Sequence, residues 1–367
     1  MEDILVEMQD IVMCAYYGMC DSQGHIIGHL GKVTKEYVEL LNEEYKVHLM
    51  ASPCIYKEFI GNDNINLEKL TYDIVVDEPF TIKKRIFDKI KILKNIDKCM
   101  RKSPGKILFF YQVDFFFFMY LYLFYRKKEK QIYALIYHQN FTGGKFESIL
   151  NYIYKRALTK LEGVIYTQKK KKILHDKSLY MPDYLYDANF YEKYNVALKE
   201  EKIVCLGTMN RYKQLEELVE VFKNTDIPLE ICGRFDDKGR VQQLVKRKSN
   251  NIVICDCILT TEEYYQKLGR AKYSILPYDM KQYVSRTSGV LLESIYVGSI
   301  PIAPRLLLEQ NEITGYAYND LEELRNFEWD WNIQETNMRK LLQENDRNVV
   351  GRKLRDFFKQ DDPVKLT

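Results

Sequence analysis

Short apolar runs alternate with stretches of helical period along nearly the whole chain. In the first half, apolar runs at 11–16, 47–50, 73–76, 107–111, 132–137 and 163–166 predict strands, with helices between them. The clearest helix is predicted over 80–100, where Ile82, Ile86, Ile90 and Leu93 recur at helical spacing opposite lysines. The second half restarts the alternation, with strands predicted at 203–206, 229–232, 252–254, 273–276 and 300–303 and helices near 212–223, 238–249, 262–270 and 289–297. Alternation of this kind is the pattern of α/β folds with parallel sheets, here written twice. The hydrophilic stretch 184–201, "YLYDANFYEKYNVALKEE", predicts a linker, and beyond 330 the pattern turns helical. At 367 residues the chain exceeds one ordinary core, so two domains are expected, over 1–195 and 196–330, with C-terminal helices over 331–367.

Composition narrows the function classes. A formal net charge of +3 is not that of a dedicated nucleic-acid binder. The eight cysteines contain no C-x-x-C pair and the first ten residues carry four acids, so reduced thiols in the cytosol are expected and no secretory leader is read. The most apolar segment, 107–125, is interrupted by Gln112 and Asp114 and predicts a strand followed by a helix rather than a membrane span. Two basic runs, "RKKEK" at 126–130 and "KKKK" at 169–172, are either solvated faces or an attraction to an anionic membrane surface.

Candidate chemistry concentrates in "SRTSGVLLESIYVGSIPIAP", residues 285–304. Ser288 reads as an N-cap, 289–297 as a short helix, Gly298 as its stop and 300–303 as a buried strand. The helix mouth offers unpaired N–H groups, and glycine at 289 leaves room for a phosphate. Glu293 lies one turn deeper on the same face. An anion at the mouth with a hydroxyl beside Glu293 would describe a sugar nucleotide; an acid that only complements the helix dipole is the other reading.

Around this stretch the second half resembles the donor domain of GT-B glycosyltransferases, especially glycosyltransferase family 4. The motifs are "LGTMNRYKQLEELVEVF", "LEICGRFDD" and "LGRAKYSILPYDMKQYVSRTSGVLLESIYVGSIPIAP", in order over about 202–304. The resemblance implies a GT-B architecture: two Rossmann-like domains facing a central cleft, the C-terminal helices crossing back to the N-terminal domain. It implies donor contacts from Gly207, Lys213, Gly233, Arg234, Tyr278, Ser285, Arg286, Thr287, Ser288, Gly289 and Glu293. Lys213, with Arg211 as helper, would neutralise the leaving diphosphate, and Glu293 would accept from the ribose. The chain departs from the family at two places. The first acid of its E-x7-E motif is Ser285, and the arginine expected after the first strand's glycine is Thr208, whose charge Arg211 or Arg286 would replace.

The first half resembles the family's acceptor domain more weakly. His138, at the end of the strand predicted over 132–137, is the implied active-site histidine. Gly24 and His25, with Gly28 and His29 nearby, occupy the position of the acceptor loop. No D-x-D strand end is present, and "FDDK" at 235–238 reads as a solvated helix start, so metal-independent transfer is expected. The resemblance therefore implies an enzyme without cofactor that moves a sugar, with retention, from a nucleotide diphosphate, UDP foremost, to a glycan, lipid-linked or protein-linked acceptor. Cell-surface polysaccharide synthesis in the cytoplasm or at the inner face of the membrane, with peripheral contact to it, is the expected setting. A catalytically silent partner subunit and a sugar-nucleotide epimerase remain as alternatives.

Overall fold

A computed structural model describes residues 8–26, 30–76, 81–126, 130–137, 146–170, 173, 175–283, 288–326 and 338–359. The chain forms two compact units: Met1–Thr167 with Lys172–Tyr180 and Gly351–Thr367, and Gln168–Lys171 with Met181–Val350.

The first unit is built on β1 (Gln9–Ala15), β3 (Tyr45–Ala51), β4 (Asn66–Lys69), β6 (Ile107–Phe110), β7 (Gln131–Ile136), β8 (Gly163–Tyr166) and β9 (Ser178–Tyr180), in the order β4-β3-β1-β6-β7-β8-β9. Every pairing in this sheet is parallel. Its central strands are covered on both faces, which is why they read as unbroken apolar runs such as "ILFF". The run at 73–76 was expected as one more strand of this sheet. It is instead β5 (Ile74–Val75), paired with β2 (Met19–Cys20) in a separate two-stranded ribbon, because its half-buried residues have no second layer to cover them. The apolar segment after β6 folds as the helix Phe115–Phe124, whose N-cap Asp114 accepts from the Phe117 N–H at 3.1 Å. Among the described residues no helix is long and apolar enough to cross a membrane.

The second unit repeats the design with β10 (Glu200–Leu206), β11 (Leu229–Gly233), β12 (Ile252–Asp256), β13 (Ala271–Ile275), β14 (Ile300–Pro304) and β15 (Tyr316–Tyr318). Their order is β12-β11-β10-β13-β14-β15, again with parallel pairings. This order reverses direction between β10 and β13, which opens a crevice at the carboxyl ends of those two strands.

The observed divisions fall after Tyr180 and Val350, where the sequence reading set them at 195/196 and 330/331. The reason lies in aromatic rings within the hydrophilic stretch. Tyr184, Tyr191 and Tyr194 are buried in the second unit, and Phe190, Tyr191 and Tyr194 surround the Tyr265 ring at centroid distances of 5.0, 5.5 and 5.3 Å. At the other end, the helix Arg347–Phe358 begins with Arg347 donating its N–H to the Tyr186 carbonyl at 2.8 Å, within the second unit. It ends in the first: Phe358 is fully buried against Tyr133, Phe109 and Tyr45, with ring centroids 4.8, 5.2 and 6.4 Å away. Arg355 fixes that end, donating to Glu44 at 2.9 Å, to the Leu40 carbonyl at 3.0 Å and pairing with Glu43 at 2.7 Å.

Phe358→Ala should therefore destabilise the first unit by about 3–5 kcal/mol, the range for deleting a buried ring. Urea unfolding followed by hydrogen exchange should place the loss in the first sheet; an unchanged first-sheet transition would contradict this account of the last helix.

Candidate functional site

The crevice of the second unit is formed by two loops that leave neighbouring strands. After β10 the chain turns at Gly207, which has a φ of 94°, and runs on to Lys213. On one side this loop is tied to the end of β11: the Met209 N–H donates to the Arg234 carbonyl at 2.9 Å. A Cβ on Gly233 would sit 1.9 Å from the Gly207 carbonyl oxygen, so glycine at 233 is what lets the two backbones touch. On the other side Gln214 N–H donates to the Pro277 carbonyl at 2.7 Å and Asp279 N–H to the Tyr212 carbonyl at 2.9 Å. Arg240 closes the underside, donating to the Asn210 carbonyl at 2.9 Å and the Lys213 carbonyl at 2.7 Å while gripping Glu216.

Lys213 occupies the centre of this arrangement. Its side chain is buried, and its Nζ donates to the Leu206 carbonyl at 2.8 Å and lies 3.7 Å from Met209 Sδ. Among the described residues no carboxylate pairs with it. Burial therefore pushes its pKa below the ordinary value of 10.5. Tyr278 stands beside it, with Nζ 6.0 Å from the ring centroid, and the Tyr278 hydroxyl lies 3.2 Å from Ser288 Oγ. Ser288 caps the helix Gly289–Tyr296 as expected, accepting from the Leu291 N–H at 3.4 Å. Lys213, Tyr278 and Ser288 are thus brought together.

Two residues behave differently from their sequence reading. A Cβ on Gly289 would meet Tyr184 Cε2 at 2.3 Å, so the room at this position is filled by the Tyr184 ring. Glu293 is buried, and its Oε2 accepts from the Tyr264 hydroxyl at 2.8 Å and its Oε1 from the Tyr265 hydroxyl at 2.5 Å. Burial and the neighbouring carboxylate together push both phenols above their ordinary range, which keeps them protonated as donors. Ser294, on the next position, accepts from Ser274 of β13 at 2.6 Å and so pins the helix to the sheet.

The remaining residues lie further out. Arg211 is exposed and stacks on Tyr212, its guanidinium carbon 5.1 Å from the ring centroid; Arg234 is exposed and 3.9 Å from Asp236. Asp237 caps the helix Lys238–Arg247, as read from "FDDK". In the first unit Gly24 and His25 form a turn in which Asp21 accepts from the His25 N–H at 2.8 Å and lies 3.0 Å from its ring nitrogen. His138, Ser285, Arg286, Thr287, Gly28 and His29 lie outside the described residues. The basic runs are partly consumed internally. Lys130 donates to the Ser103 and Gly105 carbonyls at 2.7 and 3.0 Å, and Lys169 pairs with Glu344 and Glu312 at 2.6 and 3.3 Å.

Among the described residues, metal-ligand spacing occurs at Cys20, Cys54 and Asp73, whose ligand atoms lie within 4.8 Å of one another. Burial raises the Cys54 thiol to about 12 and raises the Cys20 thiol, and the Cys54 N–H donates to Asp73 at 3.1 Å.

Sequence reasoning missed Tyr184, Tyr264, Tyr265 and Arg240. The tyrosines fall in helical or hydrophilic stretches that gave no motif, and Arg240 lies in the helix predicted over 238–249, just past the stretch read as a solvated start.

No protein-family model matches the sequence, and no curated protein matches it. Solved structures do match the fold. The chain is similar to AviGT4, a glycosyltransferase involved in avilamycin A biosynthesis, at a TM-score of 0.56 and 9% identity over 95% of this chain and 97% of that one. It is similar to an α,α-trehalose-phosphate synthase (UDP-forming) from Burkholderia xenovorans in complex with glucose-6-phosphate, at 0.62 and 7% over 96% and 100%. Anabaena HepE in complex with UDP and glucose gives 0.53 and 12% over 94% and 95%. The chain has the GT-B fold, two Rossmann-like units on one polypeptide.

The depressed Lys213 pKa has a testable sign. Between its lowered native value and 10.5 the unfolded chain holds a proton that the native state does not, so this residue's contribution to stability rises with pH through that window. In urea titrations across alkaline buffers, the unfolding free energy of the wild type minus that of Lys213→Met should rise toward pH 10.5. A difference that stays flat would place the ammonium in solvent.

Proposed function

We propose that the protein is a glycosyltransferase that binds a nucleotide-diphosphate sugar, UDP-sugar foremost, in the crevice of the second unit. It transfers the sugar, with retention, to a glycan, lipid-linked or protein-linked acceptor, in the synthesis of a polysaccharide or glycoconjugate. The observation that carries this reading is Lys213: a buried ammonium at the switch point of a parallel sheet, answered by a carbonyl and a thioether rather than a carboxylate. A diphosphate in the crevice would supply the missing anion for this ammonium. As the glycosidic bond breaks, negative charge grows on the leaving phosphate, and a fixed cation there lowers the barrier. Arg211 and Arg234 at the rim would add attraction without being ordered. This division of labour uses protein cations in place of a metal. His138 is proposed, as the resemblance implies, to act on the reacting sugar.

Each Glu293 oxygen accepts from one phenol and keeps a second lone pair that a ribose hydroxyl could use. Tyr264 is the half-buried member of the pair and Tyr265 the buried one, so we assign the ribose contact to Oε2. A second reading, a silent partner subunit that uses the fold for binding, is favoured by the same clamp together with Ser285 at the position of the family's first acid. The test is calorimetry with UDP and UDP-sugars, beside turnover assays with and without EDTA. Sugar release that persists in EDTA supports the transferase; donor binding with no turnover on any acceptor or water supports the silent subunit.

Lys213→Ala should weaken UDP binding by about 1.5–3 kcal/mol, the range for a hydrogen bond to a charged group, and leave uridine binding nearly unchanged. Equal losses for the two ligands would remove the diphosphate from Lys213.

Tyr264→Phe should leave UDP affinity unchanged or raised, since it frees Oε2, whereas Glu293→Gln should lower it roughly tenfold, the effect of about 1.4 kcal/mol. Should Glu293→Gln cost only melting temperature, Glu293 is a structural anchor.

A further inference from the structure

Three ligand-bearing side chains meet at the carboxyl edge of the first sheet. Strands β4, β3 and β1 lie side by side and parallel, so their carboxyl ends share one edge. Each strand sends one residue forward from it: Cys20 follows β1, Cys54 lies in the helix Pro53–Lys57 after β3, and Asp73 follows β4. Both thiols are buried and Asp73 is half-buried. The two sulfurs and a carboxylate oxygen lie within 4.8 Å of one another. The Cys54 N–H donates to Asp73 Oδ1, a bond that aims the carboxylate and leaves it other lone pairs. Gly18 borders the group. A Cβ there would sit 2.1 Å from Ser52 Oγ, 2.6 Å from Cys54 Sγ and 2.8 Å from Asp73 Oδ1. Gly18 does not have a positive φ, so the space beside these atoms, and not its backbone conformation, is what calls for glycine.

Zinc bonds are about 2.3 Å to sulfur and about 2.1 Å to oxygen, which sets ligand atoms around one tetrahedral ion roughly 3.6–3.8 Å apart. Small side-chain rotations bring the three atoms to that spacing. Two thiolates favour zinc or copper(I), and the hard carboxylate oxygen favours zinc of the two. We propose that Cys20, Cys54 and Asp73 form a zinc site of the first unit. On binding, each thiol releases its proton to solvent, and two thiolates and one carboxylate meet the dication. A water entering beside the half-buried Asp73 would complete the tetrahedron. The ion has a structural task here. Strands β2 and β5 are two residues long, and a ribbon of that length does not stand unaided. Cys20 is part of β2 and Asp73 immediately precedes β5, so zinc would tie both strands to the helix Pro53–Lys57. The site is argued from the first unit alone and its test uses no donor, so it fails or succeeds independently of the glycosyltransferase reading.

The experiment is titration of the metal-stripped full chain with zinc and with cobalt, the bound metal being measured by elemental mass spectrometry. One zinc per chain is expected, and cobalt should give the charge-transfer absorption of a thiolate–cobalt bond, a readout that requires no variant. Cys20→Ser and Cys54→Ser should each abolish that absorption. Asp73→Asn keeps both thiols and should weaken zinc binding at least about tenfold, since losing even an outer partner of a metal ligand costs about 10–100-fold. Zinc should raise the melting temperature of the wild type more than that of Asp73→Asn. Cys255→Ser with Cys257→Ser, which alters thiols of the second unit, should keep both the zinc and the cobalt spectrum. Failure to take up zinc, cobalt binding without thiolate absorption, or a Cys20–Cys54 disulfide in a non-reduced peptide map would overturn the proposal. So would zinc retained by Cys20→Ser and Cys54→Ser, or lost from the second-unit variant instead.

Discussion

The second unit depends on two backbones that touch. The Gly207 carbonyl lies where a side chain on residue 233 would have to be, so the loops leaving β10 and β11 can only meet if position 233 is glycine. That contact sets the height of the 207–213 loop above the sheet, and the hydrogen bonds to 277 and 279 set its lateral position. With both fixed, Lys213 is 5% exposed and folds under the loop onto the Leu206 carbonyl. A buried ammonium follows from backbone geometry, and among the described residues no acid pairs with it.

Behind that loop the unit is walled by phenols. Tyr184, Tyr191, Tyr194, Tyr264 and Tyr265 bury ring area as a core would, yet each hydroxyl needs a partner. Tyr194 finds Glu262 at 2.6 Å, Tyr296 finds the Tyr184 carbonyl at 2.7 Å, and the pair at 264 and 265 finds Glu293. A carboxylate can therefore sit deep in an apolar helix because two consecutive rings of the helix Thr261–Arg270 bring donors with them. The cost of burying the charge is offset by two short hydrogen bonds. The wall also orients the helix Gly289–Tyr296, whose first residue is flattened against Tyr184.

Much of the fold was legible because parallel strands covered on both faces must be apolar throughout, as in 107–110 and 203–206. Edge strands are free of that requirement. Thus "NLEK", "SLY" and "YAY" were unread, being short and only partly buried. The 82–102 helix was recognised from its isoleucine row, but periodicity announces a stripe without saying what covers it; the face that meets the sheet is the one holding Ile92, Ile96 and Cys99. At the site, Lys213, Tyr278, Ser288 and Glu293 could be named because their neighbours in sequence form motifs. Their partners Tyr264, Tyr265, Tyr184 and Arg240 come from other elements, and no local spacing encodes a contact across 28 or 29 residues.

The last helix adds a temporal constraint. The first sheet is made almost wholly of residues before 181, yet Phe358 fills its core between Phe109 and Tyr133. During synthesis, which runs from the N-terminus, the first unit must wait, its aromatic pocket open, while the entire second unit is made. An order of assembly follows: the second unit, contiguous from Met181 to Val350 apart from a four-residue excursion, can finish first, and it hands the chain back to complete its predecessor. The polypeptide thus passes through an unfinished state that ends when Arg355 reaches its acid partners Glu43 and Glu44.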